Sequence, residues 1–270
     1  MAHILLPTDH SENSLNAAVY AVKLFNRASD RFTVVHAFGL PHGTGGNLVN
    51  IDKELAEAAE EGMERFLHDL RKALPSEPVM TARCENGPLR AVISRVIKEA
   101  GDADLIVMGT QGATGLKRVL VGSNTATILQ DSPIPVLAVP EKATFSVVRR
   151  IAVADDSGTV DPEVLASLLD IARANEATLD LLHVLPAEGP EVEKSTSLEA
   201  LLGGVPHTYQ QVRGGDVMKA LHHAAEENHA DLLAVLHRER SLFGQILHKS
   251  VASQLAMYTR IPMLVLHQGM

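Results

Sequence analysis

Short apolar runs separated by amphipathic stretches repeat along the whole chain. In the first half the runs HILLPT, FTVVHAF, VMTARC, DLIVMG and IPVLAV carry β-branched and apolar residues at the length of buried strands. Between them lie SENSLNAAVYAVKLFN, LVNIDKELAEAAEEGMERFLHDLRKAL, PLRAVISRVIKEA and SNTATILQDS, whose apolar positions recur at helical spacing. The second of these has acids early and bases late, which suits the helix dipole. Pro88 suits a first helical turn. Strands that are apolar throughout and linked by helices predict a parallel sheet covered on both faces.

The pattern occurs twice. HILLPTDHS aligns with RIAVADDSG, placing Asp9 over Asp156, and VVHAF aligns with LLHVL, placing His36 over His183. ENGPLRAVISRVIKEAGDADLIVMG aligns with VRGGDVMKALHHAAEENHADLLAVL, with Gly87 over Gly214 and Asp104 over Asp231, and SPIPVLAV aligns with TRIPMLVL. The offset shortens after the second strand, where STSLEALLGG replaces the long helical segment. The sequence therefore predicts an α/β chain of two tandem doubly wound domains, residues 1–142 and 148–270. Each is expected to be a five-stranded parallel sheet in the order 3-2-1-4-5 with helices on both faces. IPVLAV and IPMLVL end their sheets as apolar edges that need cover, so an intramolecular pseudo-dimer pairing them antiparallel is expected, with a homodimer of whole chains left open.

Composition narrows the function. A 270-residue chain with 46% hydrophobic residues is ordinary for a globular protein, and a net charge of −9 without long Lys/Arg stretches argues against nucleic-acid and anionic-membrane partners. Cys84 is the one cysteine and cannot form an internal disulfide; with no apolar run long enough to span a bilayer and no secretion signal at MAHILLPTDH, a cytoplasmic location is expected. Cys84 itself suits a small buried apolar role. Thirteen histidines raise a metal hypothesis, but His222, His223, His229, His237 and His248 lack metal-binding spacing.

Ligands of doubly wound sheets sit beyond the carboxyl ends of the strands where the order reverses, here between strands 1 and 4, which end at Asp9 and Gly109. MGTQGATGLKRVLVGSN follows strand 4 with Gly109 and Gly112 in the loop and Gly122-Ser123 opening the next helix, where backbone N–H groups and the dipole favour an anion. It matches neither the Walker A nor the dinucleotide fingerprint, and glycine spacing alone leaves an anion site and a tight loop equally open. GLPHGTGG, residues 39–46, suits a surface loop, and Lys117 and Arg118 suit a solvated turn.

The spacing Gly109-x2-Gly112-x9-Gly122-Ser123 resembles the nucleotide signature of the ATP-binding branch of the universal stress protein family, and ILLPTDHS and SPIPVLAV resemble its first and last strands. That resemblance implies ATP, with Mg²⁺, as ligand of a stress-response regulator whose protein partners are unknown. It implies Pro7, Thr8 and Asp9 near the adenosine, with His36, Ala37 and Phe38 meeting the adenine through their backbone. Met108, Gly109, Gly112, Gly122 and Ser123 would lie at the phosphates, where Asn124 adds a donor. In the second half Leu236, Glu239 and Lys249 replace the three glycines and only Ser250 survives, so that site is expected to be empty or repurposed. A slow ATPase or related nucleotide-dependent enzyme, and a scaffold binding no nucleotide, are the competing classes; the absence of a base beside the phosphates disfavours the first and the intact glycine signature the second.

Overall fold

The computed structural model describes residues 1–25, 27–39, 48–110, 122–188, 197–237 and 261–268. Its first five strands are β1 (His3–Thr8), β2 (Arg31–Phe38), β3 (Val79–Asn86), β4 (Leu105–Gly109) and β5 (Val136–Val139). They alternate with α1 (Glu12–Leu24), α2 (Leu48–Ala73), α3 (Leu89–Ala100) and α4 (Ser123–Asp131). The second set is β6 (Arg150–Asp155), β7 (Thr178–Leu185), β8 (His207–Arg213), β9 (Leu232–His237) and β10 (Met263–His267), with α5 (Ala166–Ala174) and α6 (Val217–Glu227).

All ten strands form one sheet in the order β3-β2-β1-β4-β5-β10-β9-β6-β7-β8. Each set is parallel and runs 3-2-1-4-5 from its outer edge to the seam, where β5 and β10 pair antiparallel with Leu137 opposite Leu264. That pairing satisfies both inner edges, and the strands of the seam are buried on both faces.

Alternation along β1 divides the core. Ile4 and Leu6 join one apolar cluster with α1, α2 and α5, whereas Leu5 joins the other with α3, α4 and α6. Both clusters contain residues from either side of the seam, so the halves share one hydrophobic interior. The segment after β5 crosses α1, where Asn16 Nδ2 donates to Ala143 O at 2.9 Å and Tyr20 meets Phe145 edge-on with ring centres 5.3 Å apart.

Aligned aspartates do the same work in both repeats. Asp104 Oδ2 accepts from His3 N at 2.8 Å, and Asp231 Oδ2 accepts from Arg149 N at 2.7 Å and Arg150 N at 3.1 Å. Each ties the start of its fourth strand to the start of its first. One local expectation changes. Pro88 is the N-cap of α3, outside the first turn. Where the first half has the 26 residues of α2, the described part of the second has a single 3₁₀ turn at Glu199–Leu201.

Candidate functional site

The carboxyl ends of β1, β2 and β4 meet on one side of the sheet. Thr8 pairs with His36, and the β1/β4 register, with Leu5 opposite Ile106, brings Gly109 level with them. Pro7, Thr8, Met108 and Gly109 are buried there, Asp9 is exposed in the turn beyond β1, and His36, Ala37 and Phe38 are half-buried at the exit of β2. Gly122 caps α4, whose first residues Ser123 and Asn124 are exposed. Gly112, Lys117, Arg118 and residues 40–47 lie outside the described residues.

Thr8 and four residues that the sequence did not single out form the floor of this region. Thr8, Asn13, Ser14, Thr110 and Thr125 are buried polar side chains around the ends of β1 and β4. His10 N donates to Thr8 Oγ1 at 2.9 Å, Thr8 Oγ1 meets Ser14 Oγ at 2.9 Å, and Ser14 Oγ donates to Ser11 O at 2.8 Å. Because Ser14 spends its proton on the carbonyl, Thr8 must be the donor between the two hydroxyls, and the chain runs one way. On the other side Thr125 Oγ1 donates to Gly109 O at 2.9 Å.

Two of the glycines have structural uses that the spacing did not reveal. A Cβ on Gly109 would lie 2.7 Å from Asn13 Nδ2 and 2.8 Å from its Cγ. Asn13 therefore fills the hollow beside the Gly109 Cα. Gly122 N donates to Thr110 O at 2.9 Å, closing the base of the loop between them. Its N–H is thus engaged, contrary to the expectation of a free donor, and the helix-start donors still to be considered belong to Ser123 and Asn124.

Asp9 shapes the turn into α1 by accepting from Ser11 N at 3.1 Å, while Ser11 is the N-cap, accepting from Ser14 N at 3.2 Å. Asp156 does likewise with Gly158 N at 3.1 Å, and Asp161 is the cap that follows. Neither strand-exit aspartate is itself the helix cap. His36 Nδ1 is 2.8 Å from Thr8 O, and its counterpart His183 Nδ1 is 2.9 Å from Asp155 O. With a carbonyl as partner each Nδ1 carries the proton, so both imidazoles brace strand 2 against strand 1.

His10 was not among the residues the sequence singled out. It adopts φ of 62°, and its ring stacks on His36 with centres 4.1 Å apart at 25° and lies 6.0 Å from Phe66 of α2. Gly62 makes room: a Cβ there would sit 2.6 Å from His10 Nδ1. Burial pushes the His10 pKa down to about 4, His36 and Arg65 adding to the effect and Asp9 opposing it. Cys84, half-buried beneath α2 with its pKa raised by burial, donates to Ala59 O at 3.5 Å.

The second half fills the aligned positions with apolar side chains. Leu236 replaces Gly109 and Val160 replaces Asn13; both are buried in the same cluster. Asp155, 3% exposed, stands at the place of Thr8 and accepts from Ser157 N at 2.8 Å. Glu239, His248, Lys249 and Ser250 lie outside the described residues. Among the described residues no group of three or more His, Cys, Asp or Glu is arranged to hold a metal ion, and no helix is long and apolar enough to cross a membrane.

Comparison with known proteins agrees with this architecture. A universal stress protein of Methanocaldococcus jannaschii is 29% identical over 143 residues, 50% of this chain and 80% of that protein. The crystal structure of a universal stress protein from Archaeoglobus fulgidus DSM 4304 superposes with a TM-score of 0.72 at 21% identity, covering 99% of this chain and 98% of that one. A Pseudomonas aeruginosa PAO1 protein of unknown function has the same fold, with a TM-score of 0.58 at 15% identity over 99% of this chain and 92% of its own. The model of the Universal stress protein family matches residues 1–140 and 188–267, most of both halves, and the chain belongs to that family.

Proposed function

We propose that this chain is a nucleotide-binding regulator of the stress response that holds one ATP, with Mg²⁺, at the strand exits of its first half. The observation that carries the reading is the contrast between the two halves: polar Asn13 and Gly109 in the first, apolar Val160 and Leu236 in the second. Asp9 and the backbone of His36, Ala37 and Phe38 take the adenosine; Ser123, Asn124 and the start of α4 take the phosphates together with Gly112. Gly109 and Gly122 serve by shaping that surface. A helix dipole contributes only about 0.3–1 kcal/mol per charge near the surface, whereas micromolar binding needs roughly 8 kcal/mol, so several donors must act together.

Holding rather than hydrolysing the nucleotide follows from the residue types at the phosphate end. Ser123, Asn124, Thr110 and Thr125 offer hydrogen bonds, but none is a general base near neutral pH. Hydrolysis at roughly one per minute or slower is expected, against the 1–100 s⁻¹ typical of kinases.

Calorimetry with ATP and Mg²⁺ should give a stoichiometry near one, weakened by Asp9→Ala and unchanged by Asp156→Ala. Gly122→Glu, which sets a carboxylate at the helix start, should abolish binding in a folded chain. Two equivalent sites, or full affinity in Gly122→Glu, would overturn the assignment. Turnover near one per second that is lost in Ser123→Ala would make the chain an enzyme instead.

A further inference from the structure

The His10–His36 stack does something that nucleotide binding does not require. His10 joins the exits of β1 and β2 to the inner face of α2: its backbone bonds Thr8, its ring lies on His36, and α2 passes over it at Gly62 and Phe66. Among the described residues its Nε2 is buried with no hydrogen-bond partner. A neutral imidazole tolerates this arrangement at modest cost. An imidazolium does not, because its buried Nε2 must then carry an N–H without an acceptor and the ring sets a full charge against another imidazole.

We propose that His10 is an acid-sensitive latch for α2: protonation of its ring unstacks it from His36 and releases α2 from the strand exits. The groups facing the ring decide the direction. His36 on β2 and Arg65 on α2 both oppose a positive charge, and only Asp9, exposed in the turn, favours it. Burial outweighs Asp9, which is why the ring stays neutral while the helix is docked.

The linkage sign follows. A histidine whose folded pKa lies below the ordinary value takes up its proton on opening, so the docked state loses stability as pH falls from the ordinary value of 6.5 toward about 4. Opening then becomes easier by up to tenfold per pH unit, or roughly 20-fold between pH 7 and pH 5. The second half supplies an internal contrast. Ser157 shares the left-handed conformation, with φ of 58°, and His183 keeps its carbonyl bond, but no imidazole stands at position 157 and no counterpart of α2 is described. The latch therefore belongs to the first half and does not depend on whether ATP binds there.

Cys84, the only cysteine, lies under α2 with its thiol on the Ala59 carbonyl and reports on the helix directly. The test is its reaction with 4,4′-dithiodipyridine, in nucleotide-free protein from pH 7 to pH 5, each rate divided by that of the urea-unfolded chain at the same pH. Protection of Cys84 should fall roughly 20-fold in the wild type. His10→Phe, which keeps an aromatic ring, and His10→Asn, which tolerates the left-handed backbone, should lose most of that change. A flat wild-type profile, or the same fall in both variants, overturns the latch. If neither variant folds, an NMR titration of the wild-type His10 ring decides: a midpoint well below 6 in the docked state supports it, and one at or above 6.5 refutes it.

Discussion

Gly109→Ala tests whether that glycine is there for the protein or for a ligand. The added Cβ would lie 2.7 Å from Asn13 Nδ2, 2.8 Å from Cγ and 3.0 Å from Oδ1, all inside ordinary contact distance. Asn13 is 6% exposed and cannot simply swing into water, so its amide must leave its seat or the turn into α1 must shift. Overpacking of this kind costs about 1–3 kcal/mol, offset by about 0.4–1 kcal/mol because alanine restricts the unfolded chain. A net loss of about 1–2 kcal/mol is expected in nucleotide-free protein, read from urea unfolding by circular dichroism. Asn13→Ala removes the obstacle. In that background Gly109→Ala should be neutral or slightly stabilising, giving a coupling energy above about 1 kcal/mol in the double-mutant cycle. A Gly109→Ala protein within about 0.5 kcal/mol of wild type, or strictly additive variants, would refute the packing role and return Gly109 to a role in ligand approach alone.

Two further outcomes follow from the sheet. Asp180 is fully buried, receives Arg150 Nε at 3.0 Å and Nη2 at 2.9 Å, and accepts the Thr208 hydroxyl at 2.7 Å. Arg150→Ala should therefore cost about 1.5–3 kcal/mol in urea unfolding by removing two hydrogen bonds from a buried carboxylate, and adding Asp180→Asn should recover part of it; a loss below about 0.5 kcal/mol would show the pair to be dispensable. Val265→Pro removes a backbone donor from the β5–β10 seam, where Val265 faces Val136, and should cost about 1–3 kcal/mol by leaving a buried carbonyl unpaired, with small-angle scattering showing an expanded chain; unchanged dimensions would mean that the shared apolar clusters alone hold the halves together.

The strands were legible because a sheet buried on both faces needs uninterrupted apolar runs, and HILLPT and IPVLAV are such runs. The reversal of strand order between β1 and β4 was legible too, with Asp9 and Gly109 at the ends of those two strands. What the sequence could not show is which atoms spend which donors. That Asn13 occupies the hollow of Gly109, and that Gly122 N–H serves Thr110, depend on how α1 and α4 land on the ends of β1 and β4. His10 was not singled out in the sequence. Its burial depends on Gly62, far along the chain on α2, and a glycine within a helix carries no signal of what it makes room for.

The differences between the halves are unevenly distributed, and the distribution says what each position is for. Positions that build the strand exits keep their interactions: Asp104 and Asp231 tie the strand starts, His36 and His183 brace the strand ends, and His10 and Ser157 turn the chain through the same left-handed conformation. Buried positions beside those exits change character, from Gly109, Asn13 and Thr8 to Leu236, Val160 and Asp155. Random decay would not spare the first group while converting Asn13 and Gly109 together into a matched apolar pair. The second half instead retains what the continuous sheet requires, because β5 would otherwise present a bare apolar edge, and packs the end of its fourth strand with apolar side chains.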